Sequence, residues 1–163
     1  MPIEFQSGQD YLTPGVHAAT VEEVKEVLVT GFPESATRQE IFDQWIALRA
    51  DIAEVATIDK QWLDGSFVSR KLDPGDLDVA THIDGMEIEA LDEDARAKIW
   101  TLCGGPNNPI YPMIDSFAVV SYPPDHPAHK WMAGDRDAFR NVFFSRDDRI
   151  GPTFVKGFME VPG

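Results

Sequence analysis

Residues 62–79 of the chain read WLDGSFVSRKLDPGDLDV, and the fold can be predicted from this segment outward. It begins with Trp62 and Leu63, the end of a strand candidate over 58–63, which is followed by Asp64, Gly65 and Ser66. Its second half enters an alternating segment in which the acids Asp76 and Asp78 are separated by a leucine. Alternation of apolar and polar side chains is the period of a strand, so we predict one strand before the Gly-Ser turn and another that carries both aspartates.

The two aspartates are the first candidates for chemistry. On a strand, residues i and i+2 point the same way, about 6.5 Å apart along the backbone. Their carboxylates can then converge on divalent metals, and two metals about 3.5–4 Å apart are a known device for in-line phosphoryl displacement. Two like charges side by side are costly to bury unless a cation neutralises them. An isolated Asp-x-Asp pair is also typical of a solvated strand end.

Two further features accompany the pair. Gly65 permits a close backbone approach, Ser66 adds a hydroxyl, and exposed N–H groups at such a turn can hold phosphate oxygens, although most Gly-Ser pairs are plain turns. A third carboxylate, Asp115, lies early in an apolar segment predicted as a later strand. A strand-entry aspartate facing water is the other interpretation of Asp115.

The rest of the chain predicts a single domain over residues 1–163 of the α/β or α+β class. Residues 1–19 are predicted to form an irregular arm. Capping-box patterns predict helix starts at Thr20 and Thr37, and Asp92 or one of its neighbours is expected to cap a third helix that ends at Gly104-Gly105. The remaining predictions are strands over 58–63, 76–83, 113–122 and 154–161, and a short helix over 135–144 that buries Phe139, Val142 and Phe143.

Composition limits the class of protein. The 163 residues carry a net charge of −14, and such a surface repels nucleic-acid phosphates, so we expect no non-specific DNA or RNA binding. No apolar run approaches the roughly 20 residues of a membrane span, and no secretory signal is visible at the start. The single cysteine, Cys103, excludes an internal disulfide framework and is predicted to be a core residue. These features predict a cytoplasmic protein.

Taken together, the motifs resemble the polymerase-β-like nucleotidyltransferase superfamily. Its signature is an apolar residue, Gly and Ser, then about ten residues, Asp-x-Asp, and a later third acid on a neighbouring strand. The wider pattern is similar to a bacterial and phage family of small nucleotidyltransferase-like proteins. That likeness rests on residues 62–68 and 74–78, on the segments 12–17 and 35–38, and on Lys156-Gly157-Phe158.

The resemblance implies a minimal nucleotidyltransferase fold, a mixed β-sheet packed against helices. It implies that Gly65 and Ser66 hold the triphosphate of an NTP, and that Asp76 and Asp78 bind two Mg²⁺ or Mn²⁺ ions. Asp115 would share one ion and help to activate an acceptor hydroxyl. The superfamily's polymerases carry extra domains that do not fit in 163 residues. A protein, an RNA end or a small molecule is therefore the expected acceptor, in a toxin–antitoxin or phage-defence setting with a possible protein partner.

Other side chains are weaker candidates. Lys156 and Arg146 could neutralise phosphate charge, and Arg38 could do so from a helix start, although lone cations of this kind usually form surface ion pairs. His82 is expected on the same face as the aspartates, more as a rim or stacking residue than as a base. His126 and His129 have a spacing that a metal site could use, but no further ligand lies nearby in the sequence. We predict that the tryptophans lie in the core: Trp45, Trp62, Trp100 and Trp131.

Three functions remain open on the sequence alone. The first is nucleotidyl transfer to a hydroxyl, favoured by the three carboxylates and the Gly-Ser turn. The second is a catalytically weak binding module, an antitoxin or a regulator, favoured by the acidic surface. The third is a metal-dependent phosphohydrolase, which the Gly-Ser turn argues against because that turn serves a triphosphate.

Overall fold

A computed structural model describes residues 3–145, 151 and 155–163 of the chain. Its centre is one six-stranded sheet with the strand order β1-β6-β2-β3-β5-β4. The sheet is mixed, because β1 pairs with β6 and β3 with β5 in parallel, whereas β2 runs antiparallel to both β3 and β6. The α/β class predicted from the sequence is confirmed. The strands are β1 Gly15–Ala18, β2 Lys60–Asp64, β3 Leu77–Asp84, β4 Gly104–Gly105, β5 Ile114–Ser121 and β6 Gly157–Pro162.

Five α-helices accompany the sheet, and two of them continue into a π-helical turn. A single 3₁₀ turn, Ser66–Val68, follows β2. The π-helical turns are Glu26–Thr30 after α1 and Phe139–Phe143 after α5. The helices are α1 Val21–Lys25, α2 Arg38–Ala53, α3 Gly85–Ala90, α4 Glu93–Leu102 and α5 His129–Ala138. Among these described elements, no helix is long and apolar enough to cross a membrane.

The predicted helix starts can be compared with the caps in the structure. The capping box at Thr20 is confirmed, since its hydroxyl accepts from the Glu23 N–H and the Glu23 carboxylate accepts from the Thr20 N–H. Asp92 caps α4 by accepting from the Ala95 N–H. The box at Thr37 is wrong: Thr37 makes no capping bond, and the hydroxyl of Ser35 instead accepts from the Thr37 and Arg38 N–H groups.

The two faces of the sheet bury different side chains. One face packs against α1, α2 and α4 and forms the main core, which includes the apolar residues of β3 at 77, 79 and 83. The other face carries a smaller aromatic cluster of Trp62, Ala80, Val119, Phe144 and Phe158. Because side chains alternate along a strand, Asp78 shares this second face with Ala80.

Several predictions outside the central motif are wrong. The arm over 1–19 contains β1, whose partner β6 lies at the far end of the chain. The last helix begins at 129 rather than 135, and α3 was not expected. Phe139 is half-buried, whereas the side chains of Val142 and Phe143, and residue 154 of the predicted last strand, lie outside the described residues. Cys103 is buried as predicted, but Trp100 and Trp131 are 46% and 78% exposed and do not belong to the core.

Candidate active site

The strand register brings three aspartates side by side. Asp78 on β3 lies opposite Asp64 on the antiparallel strand β2 and opposite Asp115 on the parallel strand β5. Neighbouring strands lie about 4.8 Å apart, so the three residues form a row across the sheet, on the face away from the main core. Asp76 precedes the first residue of β3 and is exposed. The structure therefore aligns Asp78 with Asp115 and leaves Asp76 at the solvent edge.

Gly65 lies directly against this row. Its φ is +83°, a conformation that residues with a Cβ rarely adopt. A Cβ placed on Gly65 would stand 2.8 Å from Oδ2 of Asp78, so only glycine leaves room for that carboxylate. Ser66 follows as the first residue of the 3₁₀ turn, and its hydroxyl has no hydrogen-bond partner among the described residues. The Ser66 hydroxyl thus follows directly after the glycine that packs against Asp78.

Substituting Gly65 tests this close approach. We expect Gly65→Ala to lower the free energy of unfolding by about 1–2 kcal/mol because of the positive φ, and to displace the Asp78 carboxylate. Gly75→Ala is the matched control, since a Cβ there would meet nothing within 4 Å and its φ is not positive. Chemical denaturation of both variants checks the prediction. Equal stabilities of the two variants would contradict it.

A buried ion pair closes one end of the row. Nζ of Lys156 lies 2.5 Å from Oδ2 of Asp64, and both side chains are 4% exposed. Burial raises the pKa of Asp64 to about 7, although the Lys156 ammonium and the Gly65 N–H both favour the charged carboxylate. Lys156, predicted to face phosphate, is therefore already paired within the fold. Sequence analysis missed Asp64, and the available signal was its strand period, which places it on the same face as Trp62.

Asp115 is held by the loop before β5. Its Oδ1 accepts a hydrogen bond of 2.8 Å from the N–H of Asn107, which has a φ of +58°. The next residue, Asn108, is buried, donates to the Leu102 carbonyl and accepts from the N–H groups of Ile110 and Tyr111. The loop thus orients Asp115, and one of the carboxylate's oxygens is engaged by the backbone.

Arg38 holds the connector between the Gly-Ser turn and β3. Its guanidinium is buried and donates to four backbone carbonyls, at Leu28, Phe67, Ser69 and Lys71, over 2.5–2.9 Å. Burial lowers its pKa to about 10, so the group stays charged at neutral pH. The guanidinium of Arg38 thus binds backbone carbonyls within the fold and does not face a phosphate. No local pattern in the sequence distinguishes it from a surface arginine.

Asp73 and Pro74 attach the same connector to the start of α2. Oδ1 of Asp73 accepts from the Ala36 N–H at 2.7 Å and from the Ser35 hydroxyl at 3.2 Å. The Thr37 hydroxyl donates to the Pro74 carbonyl at 2.7 Å. The segment between Ser66 and Asp76 is therefore hydrogen-bonded to the N-terminal end of α2.

The other candidates lie away from the row. His82 is on the same face as Asp78, four residues further along β3, and its ring packs edge-on against Trp62 with centroids 4.2 Å apart. His126 stacks on Tyr122, and Nδ1 of His129 donates to the Tyr122 carbonyl, so both rings have local partners. Arg146 lies outside the described residues. In the part of the chain that the structure describes, no three His, Cys, Asp or Glu side chains form a group that could hold a metal ion.

Comparison with known protein families gives one match. The model of a family of unknown function, DUF6932, matches residues 3–162. The chain belongs to this family. The matched range includes the row of aspartates, the Gly-Ser turn and Lys156, so the candidate site of this DUF6932 chain lies within the region that defines the family. No curated protein and no solved structure matches the chain.

Proposed function

We propose that the chain is a metal-dependent nucleotidyltransferase, which moves a nucleoside monophosphate from an NTP to a hydroxyl acceptor and releases pyrophosphate. One observation carries the proposal: Asp78 and Asp115 stand in register on neighbouring strands, and Gly65 packs against the Asp78 carboxylate. A glycine that packs on one of two paired carboxylates and is followed by a serine is suited to a triphosphate whose charge is bridged by a cation.

The donor set fits a divalent cation. Mg²⁺ is usually held by one or two carboxylates together with phosphate oxygens and waters, and Asp78 with Asp115 supplies such a pair. When bound, the ion would neutralise phosphate charge and lower the pKa of the acceptor hydroxyl. Asp76 would bind a second ion, because it precedes Asp78 by two positions at the same end of β3. Its exposure leaves it accessible to a metal that arrives with the nucleotide.

The chain's own residues bind and orient the nucleotide. Ser66 can donate its hydroxyl to a phosphate oxygen, and the glycine before it allows that oxygen to approach the backbone. Arg38 keeps the connector after the turn in one conformation through its four carbonyl contacts. The net charge of −14 favours a protein or small-molecule acceptor over a long nucleic acid.

A label-transfer assay tests the proposal. The protein is incubated with Mg²⁺ or Mn²⁺, each α-labelled NTP in turn, and cell extract as the source of acceptor. We expect transfer that falls about 100-fold in Asp78→Asn and in Asp115→Asn, in the range seen when one charge-stabilising group is removed from an active site. Asp94→Asn, an exposed acid in the first turn of α4, is the control that keeps full transfer. Labelled nucleoside diphosphate or monophosphate that forms without transfer, together with unlabelled phosphate or pyrophosphate, would instead indicate a phosphohydrolase.

A binding module is the second candidate. The described residues contain no group of three potential metal ligands, and the Asn107 N–H already engages Asp115. Both observations are compatible with a nucleotidyltransferase fold that has kept its nucleotide turn and lost catalysis. Absence of transfer together with absence of NTP binding in a folded protein would favour this candidate over the enzyme.

A further inference from the structure

His82 is a buried histidine that lacks a hydrogen bond at one ring nitrogen. It lies on β3, on the face that carries the aromatic cluster, and is 3% exposed. Its Nε2 has no hydrogen-bond partner among the described residues. The ring packs edge-on against Trp62, with centroids 4.2 Å apart. A buried charge without a partner is far more costly than a buried neutral group, so this environment favours the neutral imidazole.

Charged side chains on three elements act on this ring. Lys60 lies directly opposite His82 on the antiparallel strand β2, and Arg136 belongs to α5. Glu160 of β6 would favour a protonated ring, but its carboxylate is already paired with Lys60 at 2.9 Å. Burial, then Lys60 and, more weakly, Arg136 lower the pKa of His82 from 6.5 to about 4, although Glu160 acts in the opposite direction.

Three acids line a cavity beside the ring. Asp59, Asp84 and Glu87 surround a volume of about 730 Å³ that His82 also lines. Asp84 accepts from a backbone N–H at the start of α3, and Glu87 accepts from the N–H and hydroxyl of Thr57. None of the three acids is a cause of the shifted pKa of His82. Burial and the charges on β2, β6 and α5 therefore decide its protonation.

The helix α5 is the element that can uncover the ring at the lowest cost. It lies on the same face of the sheet, where Phe139 at its C-terminal end packs against Phe117 of β5, with ring centroids 5.4 Å apart. The structure describes α5 over its whole length, and none of its residues is buried. Elements with few buried contacts have low local stability, whereas β2, β3 and β6 lie inside the sheet. Movement of α5 therefore exposes His82 without opening the sheet.

We propose that His82 is an acid sensor for α5: in acid its imidazole takes up a proton from solvent, α5 leaves the sheet, and the aromatic cluster becomes exposed. At neutral pH the ring is uncharged and α5 covers it. The uncovered surface includes Trp62, Phe144 and Phe158. His82 lies four residues beyond Asp78 on β3, about 13 Å away, so the device is independent of nucleotidyl transfer.

The pH range of this device follows from the two states of α5. With α5 in place the pKa of His82 is about 4, and in the uncovered state it returns to the ordinary value of 6.5. Between these values the open state binds more protons, so the stability of the closed state is complete above pH 6.5 and is lost as the pH falls toward 4. We expect the equilibrium constant for opening to rise about 30-fold from pH 7.5 to pH 5.

Hydrogen exchange of the whole chain between pH 7.5 and pH 5, corrected for the intrinsic exchange rate, tests the proposal. We expect the protection of α5 to fall about 30-fold over this range. The protection of β3 is expected not to fall, because the raised pKa of Asp64 stabilises the whole fold in acid. In His82→Phe and His82→Leu the fall at α5 is expected to be absent. The two side chains differ in shape, so a folding defect in one variant leaves the other informative, and thermal unfolding shows which of them is folded.

Two other histidines touch the start of α5 and supply the matched controls. Nδ1 of His126, whose Nε2 lies 3.6 Å from Glu89, accepts from the Ala128 N–H, and Nδ1 of His129 donates to the Tyr122 carbonyl. His126→Gln and His129→Gln each remove a titrating ring and leave His82 in place, so both are expected to keep the fall. An α5 that is unprotected at pH 7.5, or equal losses at α5 and β3, would overturn the proposal. A fall that survives in a folded His82 variant, or that either control abolishes, would also overturn it.

Discussion

The Lys156→Met variant is expected to lose about 3–5 kcal/mol of its free energy of unfolding at pH 8, because it leaves Asp64 as a buried carboxylate without a counter-charge. In the wild type the two charged atoms lie 2.5 Å apart, and both side chains are almost fully buried. The carboxylate must then bury a bare charge or take up a proton from an alkaline solution. Chemical denaturation at fixed pH measures the loss.

The pH dependence of this loss follows from the raised pKa of Asp64. In the folded wild type that pKa is about 7, above the ordinary value of 3.8, so the folded state holds a proton that the unfolded state releases between about pH 4 and pH 7. This group therefore contributes stability below pH 4, and the contribution is lost as the pH rises through 7. At pH 5 Asp64 is protonated in both proteins, and we expect the difference between variant and wild type to shrink.

Lys60→Met is the matched control, because Lys60 lies on β2 on the same face as Asp64. Lys60 pairs with Glu160 at 2.9 Å, but the two side chains are 33% and 30% exposed, so the expected loss is below about 1 kcal/mol. A double variant, Lys156→Met with Asp64→Leu, is expected to recover most of the stability because it removes both charges. Losses that are equal for Lys156→Met and Lys60→Met, or independent of pH, would contradict the assignment of a buried pair.

Arg38→Met is expected to lower the free energy of unfolding by about 4 kcal/mol. The guanidinium satisfies three buried carbonyls and a partly buried fourth, each worth about 1 kcal/mol when its donor is removed, and methionine can satisfy none of them. The side chain also lies over the Phe32 ring, 3.9 Å from its centroid. Since three of the carbonyls belong to the connector after the Gly-Ser turn, we expect the variant to lose nucleotide affinity as well.

Arg70→Met is the control for this second prediction. Arg70 lies in the same connector and is exposed, and its side chain makes a cation–π contact with Phe5 at 5.0 Å. Its replacement should cost less than about 1 kcal/mol. Urea denaturation of both variants, with the slope compared to detect changes in compactness, measures the difference. An Arg38→Met variant as stable as Arg70→Met would show that the carbonyl contacts do not hold the connector.

Local periodicity was sufficient to predict the elements that carry the site. The alternation before and after Asp78 predicted β3 to within one residue, and the helix predicted to start at Thr37 is α2, which begins at Arg38. These patterns are visible because each element buries one face, which repeats at the element's own period. The same reasoning placed Asp115 early in the strand that becomes β5.

Contacts between distant segments could not be predicted in this way. Strand order and register depend on which strands pair, so the alignment of Asp64, Asp78 and Asp115 became visible only in the structure. Lys156 finds Asp64 across 92 residues of sequence. Burial of single side chains is also hard to predict. Large apolar residues are often buried, but composition does not say which of them are, and Trp131 is exposed.

In the proposed function, the Gly65 turn and the aspartate row hold a metal-bound nucleoside triphosphate. The most direct measurement is calorimetric titration of the wild type and of Asp78→Asn with non-hydrolysable α,β-methylene analogues of the four NTPs, with and without Mg²⁺. We expect the wild type to bind at least one analogue only when Mg²⁺ is present, and Asp78→Asn to bind it about 100-fold more weakly. A folded wild type that binds none of the four analogues with Mg²⁺, or binding that Asp78→Asn leaves unchanged, would contradict it.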